Sequence, residues 1–136
     1  MRVVLDTNVL VSALLSARGT CAEVVELIRD GAITVVLCSR IVDEYAHVLA
    51  RPEFGFPDAL LQRVLRVVVD SAEMNPVTQM GPALPDPGDQ VFVDLAWSAD
   101  VDAIVTGNRR HFEPVAGRER PEVLSPRQLL DRIRST

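Results

Sequence analysis

"VVLDTNVLVSALL", Val3 to Leu15, changes character twice within one short span. Val3, Val4 and Leu5 read as a short buried strand, Asp6-Thr7-Asn8 is polar, and the residues from Val9 onward are apolar at helical spacing. A carboxylate at the exit of a buried strand needs a partner. Either other segments supply one, or Asp6 is an ordinary helix cap.

The alternation continues along the chain. Strands are predicted at Arg2–Leu5, Ile33–Leu37, Asp102–Val105 and Pro121–Leu124, with a shorter one near Met74–Val77. Helices are predicted at Val9–Leu15, Cys21–Asp30, Ile41–Ala50, Asp58–Ala72, Asp89–Ala99 and Pro126–Ile133. Short β-branched runs separated by helices imply right-handed βαβ units and a parallel sheet, an α/β fold in one domain spanning residues 1–136. The proline-rich segment from Pro76 to Pro87 is the main irregular connection. In such sheets ligands bind outside the carboxyl ends of the strands. Asp6 and the Thr106-Gly107-Asn108 turn both fall there.

Composition narrows the function. A hydrophobic content of 48% over 136 residues describes a globular chain with a real core. The apolar stretches are too short to span a membrane, and Asp6 interrupts any leader-like run. Cys21 and Cys38 lack metal-ligand spacing and read as two buried thiols of a cytoplasmic protein. The net charge of −5 argues weakly against a general polyanion binder. All 14 basic residues are arginine. Without lysine, a P-loop is excluded, and so is the receiver-domain pattern, which sets a lysine opposite its acidic cluster.

Helix geometry selects among the acids. In "SRIVDEYAHVLA", Ile41, Tyr45, Val48 and Leu49 form one stripe; Glu44 lies on its margin, and Asp43 points away beside Arg40 and His47. In "LPDPGDQVFVDLAWSAD", Pro87 suits a first helical turn, making Asp86 a natural N-cap and Asp89 an N3 residue. Asp89 borders the apolar side near Phe92 and Ala96, Asp94 points away from it, and Asp100 lies at the far end. Asp89 is the better site candidate and Asp86 its close rival. His111 reads as a surface or substrate-side histidine and His47 as a solvated one, and no serine or cysteine sits in a nucleophile elbow.

Three carboxylates from distant segments, Asp6, Glu44 and Asp89, would repel one another if brought together unpaired. A hard divalent cation relieves that repulsion, and all-oxygen ligation favours Mg²⁺ or Mn²⁺. Such a site suits in-line attack of a metal-activated water on a phosphodiester.

The pieces "VVLDTNVLVSALL", "IVDEYAHVLARPEF", "DPGDQVFVDLA" and "DAIVTGNRRHF", in this order and spacing, resemble PIN-domain proteins, in the branch of toxin–antitoxin toxin components related to VapC. The resemblance implies a three-layer αβα fold with a central parallel sheet. It also implies Mg²⁺- or Mn²⁺-dependent ribonuclease activity on single-stranded RNA, a small antitoxin partner and a homodimer. Carried over by position, the acids are Asp6, Glu44 and Asp89, supported by Asn8, Ser12 and Thr106. Many members have a fourth aspartate after the Thr-Gly, where this chain has Asn108. An amide brings no charge, so one tightly held ion is expected, with Asn108 orienting the water network. Arg109 and Arg110 are candidates to contact RNA phosphates. Aromatic residues make up only 4% of the chain, so base stacking is poorly supplied and selectivity is expected from groove shape. The rival reading is a catalytically weakened RNA-binding or scaffold protein of the same fold. A haloacid-dehalogenase phosphatase is disfavoured, since that class wants a second aspartate where Asn8 stands.

Overall fold

A computed structural model describes residues 1–135. Five parallel strands form one sheet in the order β3-β2-β1-β4-β5: β1 (Arg2–Leu5), β2 (Thr34–Leu37), β3 (Glu73–Met74), β4 (Ala103–Val105) and β5 (Glu122–Leu124). Val3, Val4 and Leu5 alternate faces yet all are fully buried, as are Ala103, Ile104 and Val105. Both faces of the sheet are therefore covered, the condition under which parallel strands carry unbroken apolar runs. The expected α/β architecture is the one observed.

The helices are α1 (Thr7–Leu15), α2 (Thr20–Arg29), α3 (Ser39–Leu49), α4 (Asp58–Asp70), α5 (Gln90–Ala99) and α6 (Pro126–Arg134). Their starts follow local chemistry. Pro126 occupies the first turn of α6, Ser125 Oγ accepts from Gln128 N at 3.1 Å, and Gln128 Oε1 accepts from Ser125 N at 2.9 Å, a reciprocal cap. α5 differs from expectation: a 3₁₀ turn, Pro87–Asp89, precedes it, so the helix begins at Gln90 and Asp89 stands at its N-cap position, not inside it. A second 3₁₀ segment, Arg109–Val115, follows β4. Cys38 is buried but Cys21 is only half-buried, a correction to the expectation of two buried thiols.

β3 is shorter than predicted, because the chain leaves the sheet after Met74 and crosses to α5. There the Ser98 hydroxyl accepts from Thr78 N at 2.8 Å and Gln79 N at 2.9 Å. Asp94 Oδ1 accepts from Gly81 N at 2.9 Å and Gln90 Nε2 at 3.0 Å. A Cβ at Gly81 would lie 2.4 Å from Val93 Cγ1, so only glycine allows this approach. The connection thus packs firmly on α5 and fixes the turn that carries Asp89.

Successive strands run outward from β1 on one side to β3, and the chain then returns to place β4 and β5 on the other. The reversal lies between β1 and β4, where a crevice opens at the carboxyl ends.

Candidate active site

Leu5 lies beside Val105 in the sheet, so the residues that follow emerge side by side. Asp6 is 5% exposed and sits in extended conformation at the N-cap position of α1, yet its carboxylate makes no capping bond. Instead Oδ2 accepts the hydroxyl of the fully buried Thr106 at 2.7 Å. Thr106 Oγ1 in turn accepts from Asn108 N at 3.0 Å, and Asn8 Oδ1 accepts from Gly107 N at 3.0 Å. The two strand ends are stitched together by polar side chains, and Asp6 does more than begin α1: beside the backbone N–H groups of Thr7 and Asn8, it holds the Thr106 hydroxyl across the sheet.

Glu44 approaches from α3, where Thr7 Oγ1 donates to its Oε2 at 3.0 Å. Beneath it, the buried Tyr45 hydroxyl donates to the carbonyl of Leu5, the residue before Asp6. Burial, reinforced by the charges of Asp6 and Glu44, pushes the Tyr45 phenol well up; it is a structural hydroxyl that holds the strand end.

Asp89 arrives on the turn before α5. Asp86 is spent on that turn, its Oδ1 accepting from Gly88 N at 2.8 Å. Asp89 is not: its Oδ2 is shut off from solvent and, among the described residues, meets no well-aligned hydrogen-bond donor. His111 Nδ1 stands 3.3 Å away, a long ion-pair contact whose charge and hydrogen bonding favour the ionised form of Asp89. The other ring nitrogen of His111 lies 3.0 Å from Asn108 Nδ2. With that amide orientation a neutral ring accepts at Nε2 and carries its proton on Nδ1, toward Asp89.

Asp6, Glu44 and Asp89 line one open pocket of about 440 Å³, together with Asn8, Arg51, Phe54 and His111. Their charges are felt across it. Burial raises the pKa of Asp6; the Thr106 hydrogen bond opposes the rise and the charge of Asp89 adds to it. Burial likewise raises Asp89, with Asp86 and Glu44 adding and His111 opposing. Among the described residues, no three His, Cys, Asp or Glu side chains are already gathered as a metal cage. The donor set nevertheless fits a hard divalent cation in kind: carboxylate oxygens at a shared pocket, one of them buried without a well-aligned donor among the described residues.

A family model described as a PIN domain matches residues 2–110. The chain belongs to the PIN-domain family. PIN domains are generally nucleases, acting on nucleic acid, and typically use divalent metal ions. No curated protein and no solved structure matches the chain with significance. Among the described residues of this PIN domain, no helix is long and apolar enough to cross a membrane.

Not every residue singled out in the sequence reaches the pocket of the PIN domain. Ser12 is exposed, and its hydroxyl pairs with the Cys21 thiol, which burial holds above its usual pKa. Asn108 stands behind the rim and acts through Thr106 and His111. Arg109 lines a separate hollow beside β5 and α6 with Arg118 and Gln128, and Arg110 is exposed. Conversely, Thr7, Tyr45, Arg51 and Phe54 belong to the site or its support and carry no mark in the sequence pattern, while His111 lines the pocket as the substrate-side alternative expects. Tyr45 carried a usable signal, since a hydroxyl on a buried aromatic ring needs an acceptor.

Proposed function

We propose that this PIN domain is a Mg²⁺- or Mn²⁺-dependent endoribonuclease that hydrolyses phosphodiester bonds of single-stranded RNA. The observation that carries this reading is the convergence of Asp6, Glu44 and Asp89 on one pocket, with Asp89 Oδ2 buried and faced by the His111 ring at 3.3 Å. Asp6, Asp89 and Glu44 would hold the cation, directly or through water. When bound, the cation neutralises the acids, polarises the scissile phosphate and lowers the pKa of water.

The chain's own groups then divide the work. Thr106 fixes the direction of the Asp6 carboxylate, which lines the pocket. Glu44 is held through Oε2 alone, so Oε1 is free to accept from an attacking water and receive its proton. His111 positions Asp89 from the opposite side, and Asn108 keeps the ring in register. The sequence resemblance to toxin components supports the biological setting: a toxin of a toxin–antitoxin pair, working in the cytoplasm, bound by a small antitoxin and assembling as a homodimer.

The test is cleavage of single-stranded RNA by the purified protein. Activity should require Mg²⁺ or Mn²⁺, stop with chelator, and vanish in Asp6→Asn. RNA binding without cleavage under any divalent cation would favour the weakened RNA-binding reading instead.

A further inference from the structure

Two residues of the segment after α3, "RPEFGFP" from Arg51 to Pro57, line the acidic pocket: Arg51 brings a charge and Phe54 an aromatic ring. Two turns shape the segment: Phe54 N donates to Arg51 O and Gly55 N to Pro52 O, both at 3.1 Å. Gly55 has φ +60°, a conformation that a side chain would strain, and this reversal folds Phe56 back onto Phe54. The rings stack with centroids 5.3 Å apart and planes 14° from parallel.

The two rings have different fates. Phe56 packs against the hydrophobic core, whereas Phe54 does not join it and lines the acidic pocket instead. A half-buried phenylalanine beside three carboxylates gains little from that neighbourhood in the free protein, yet two prolines and two turns hold it there. Arg51, at the same pocket, makes no side-chain hydrogen bond or ion pair among the described residues, although acids surround it. An uncommitted guanidinium and a backed aromatic ring on one rigid loop are the two parts that single-strand recognition uses: a cation for the phosphate and a π-face for the base. The low aromatic content misleads here, because two of the four phenylalanines stack on each other and one of that pair, Phe54, lines the pocket.

We propose that Phe54, backed by Phe56, is the stacking platform for an unpaired nucleobase next to the scissile phosphate, and that Arg51 contacts the adjoining phosphate. This rests on the nuclease reading of the same pocket and makes the substrate single-stranded, since a paired base cannot leave its stack without added cost.

The test uses the full chain and a single-stranded oligouridine decamer carrying one 2-aminopurine, whose fluorescence falls on stacking. Binding is followed with Ca²⁺ in place of Mg²⁺, and cleavage of the same strand with Mg²⁺. Wild type should quench the probe; Phe54→Leu should lose the quench and bind about tenfold or more weakly, the worth of one stacked base. Phe54→Tyr should restore both. Arg51→Gln should weaken binding and lower the slope of log affinity against log salt by about 0.7, one phosphate on a single strand. Equal melting temperatures exclude misfolding as the cause, and a Phe54→Leu variant that melts lower is read through Phe54→Tyr. If wild type cleaves but Phe54→Leu quenches, binds and cleaves alike, the platform is overturned and the nuclease reading stands. If wild type quenches but never cleaves, the hydrolytic reading fails and the platform survives. If wild type neither binds nor cleaves, both are overturned.

Discussion

Thr106, at the end of β4, donates its hydroxyl to Asp6, at the end of β1, across 2.7 Å in a space closed to solvent. Thr106→Val keeps the shape and removes the donor. It should leave a buried carboxylate oxygen unsatisfied, costing about 1–3 kcal/mol of stability. With the opposing hydrogen bond gone, the pKa of Asp6 rises further, so the acid limb of the pH–rate profile should move to higher pH. Thr106→Ser should return the profile toward wild type. An unmoved acid limb in Thr106→Val would show that this contact does not tune the site.

Metal binding should appear in stability as well as in rate. An ion that binds only the folded state raises the melting temperature with concentration. Mg²⁺ or Mn²⁺ should stabilise wild type, and the gain should largely vanish in Asp6→Ala. Equal thermal shifts in the two proteins would remove Asp6 from the ligand set.

The metal-free protein should respond to acid with a definite sign. Asp6 and Asp89 have raised pKa values, so the folded chain holds their protons more tightly than the unfolded one. Stability from these groups therefore increases as pH falls from neutral through the raised values toward the ordinary 3.8. Glu73 and Glu122 behave oppositely: hydrogen bonds from Arg2 and Arg132 lower them, and their support is lost as pH falls below the ordinary 4.5. Chelated protein should melt highest in mild acid, and Asp89→Asn should flatten the rise on the acid side of neutrality. Thermal melts in chelator across the pH range measure both.

The aspartates near α5 should separate cleanly. Asp89→Asn should abolish cleavage while the fold persists. Asp86→Asn should keep most activity, because asparagine caps as well as aspartate and Asp86 is committed to Gly88. Asp94→Asn should be nearly silent, but Asp94→Ala releases Gly81 and Gln90 and should cost about 1 kcal/mol of stability without touching the chemistry. A dead Asp86→Asn beside an active Asp89→Asn would reverse the assignment of the third acid.

Asn108→Asp tests the number of ions. The amide faces His111, which stands between it and Asp89. A carboxylate there should draw the imidazole's charge and do little for a cation, so the Mg²⁺ needed for half-maximal cleavage should stay essentially unchanged. A several-fold gain at low Mg²⁺ would reveal a second, underfilled position. Asn108→Ala should hurt less than Asp6→Ala.

How much of this was legible depended on how local the cause is. Val3 to Leu5 announce a parallel strand because burial on both faces leaves no polar alternation, and β1 runs over the residues expected. Asp6 was marked by position alone: a charge at a buried strand's exit is conspicuous without knowing its partner. Thr106 stood among the supporting residues, but its pairing with Asp6 was not readable, since the two lie 100 residues apart and nothing near Thr106 in sequence names the acid it serves. Ser12 shows the converse error; one turn from Asn8 on a helix suggests a common face, but α2 packs beside it and the hydroxyl turns to Cys21. Asp89 was placed on the correct side but in the wrong local structure, because the 3₁₀ turn shifts the helix start by a residue. Phe54 was hidden by counting: composition measures how many rings there are, and the turn at Gly55 decides where they meet.

The order in which the site is laid down along the chain has a consequence for its synthesis. A ribosome that has delivered β1 through α5 has made all three carboxylates and none of the hydroxyl that aims the first. Thr106 arrives only with β4, which must slot in beside β1 and is then flanked by β5. Domains fold as units, so the nascent chain carries the acids on an unfinished frame until late in translation. On the proposed function, a centre for RNA built in this order still lacks its Thr106 contact while its own message is being read.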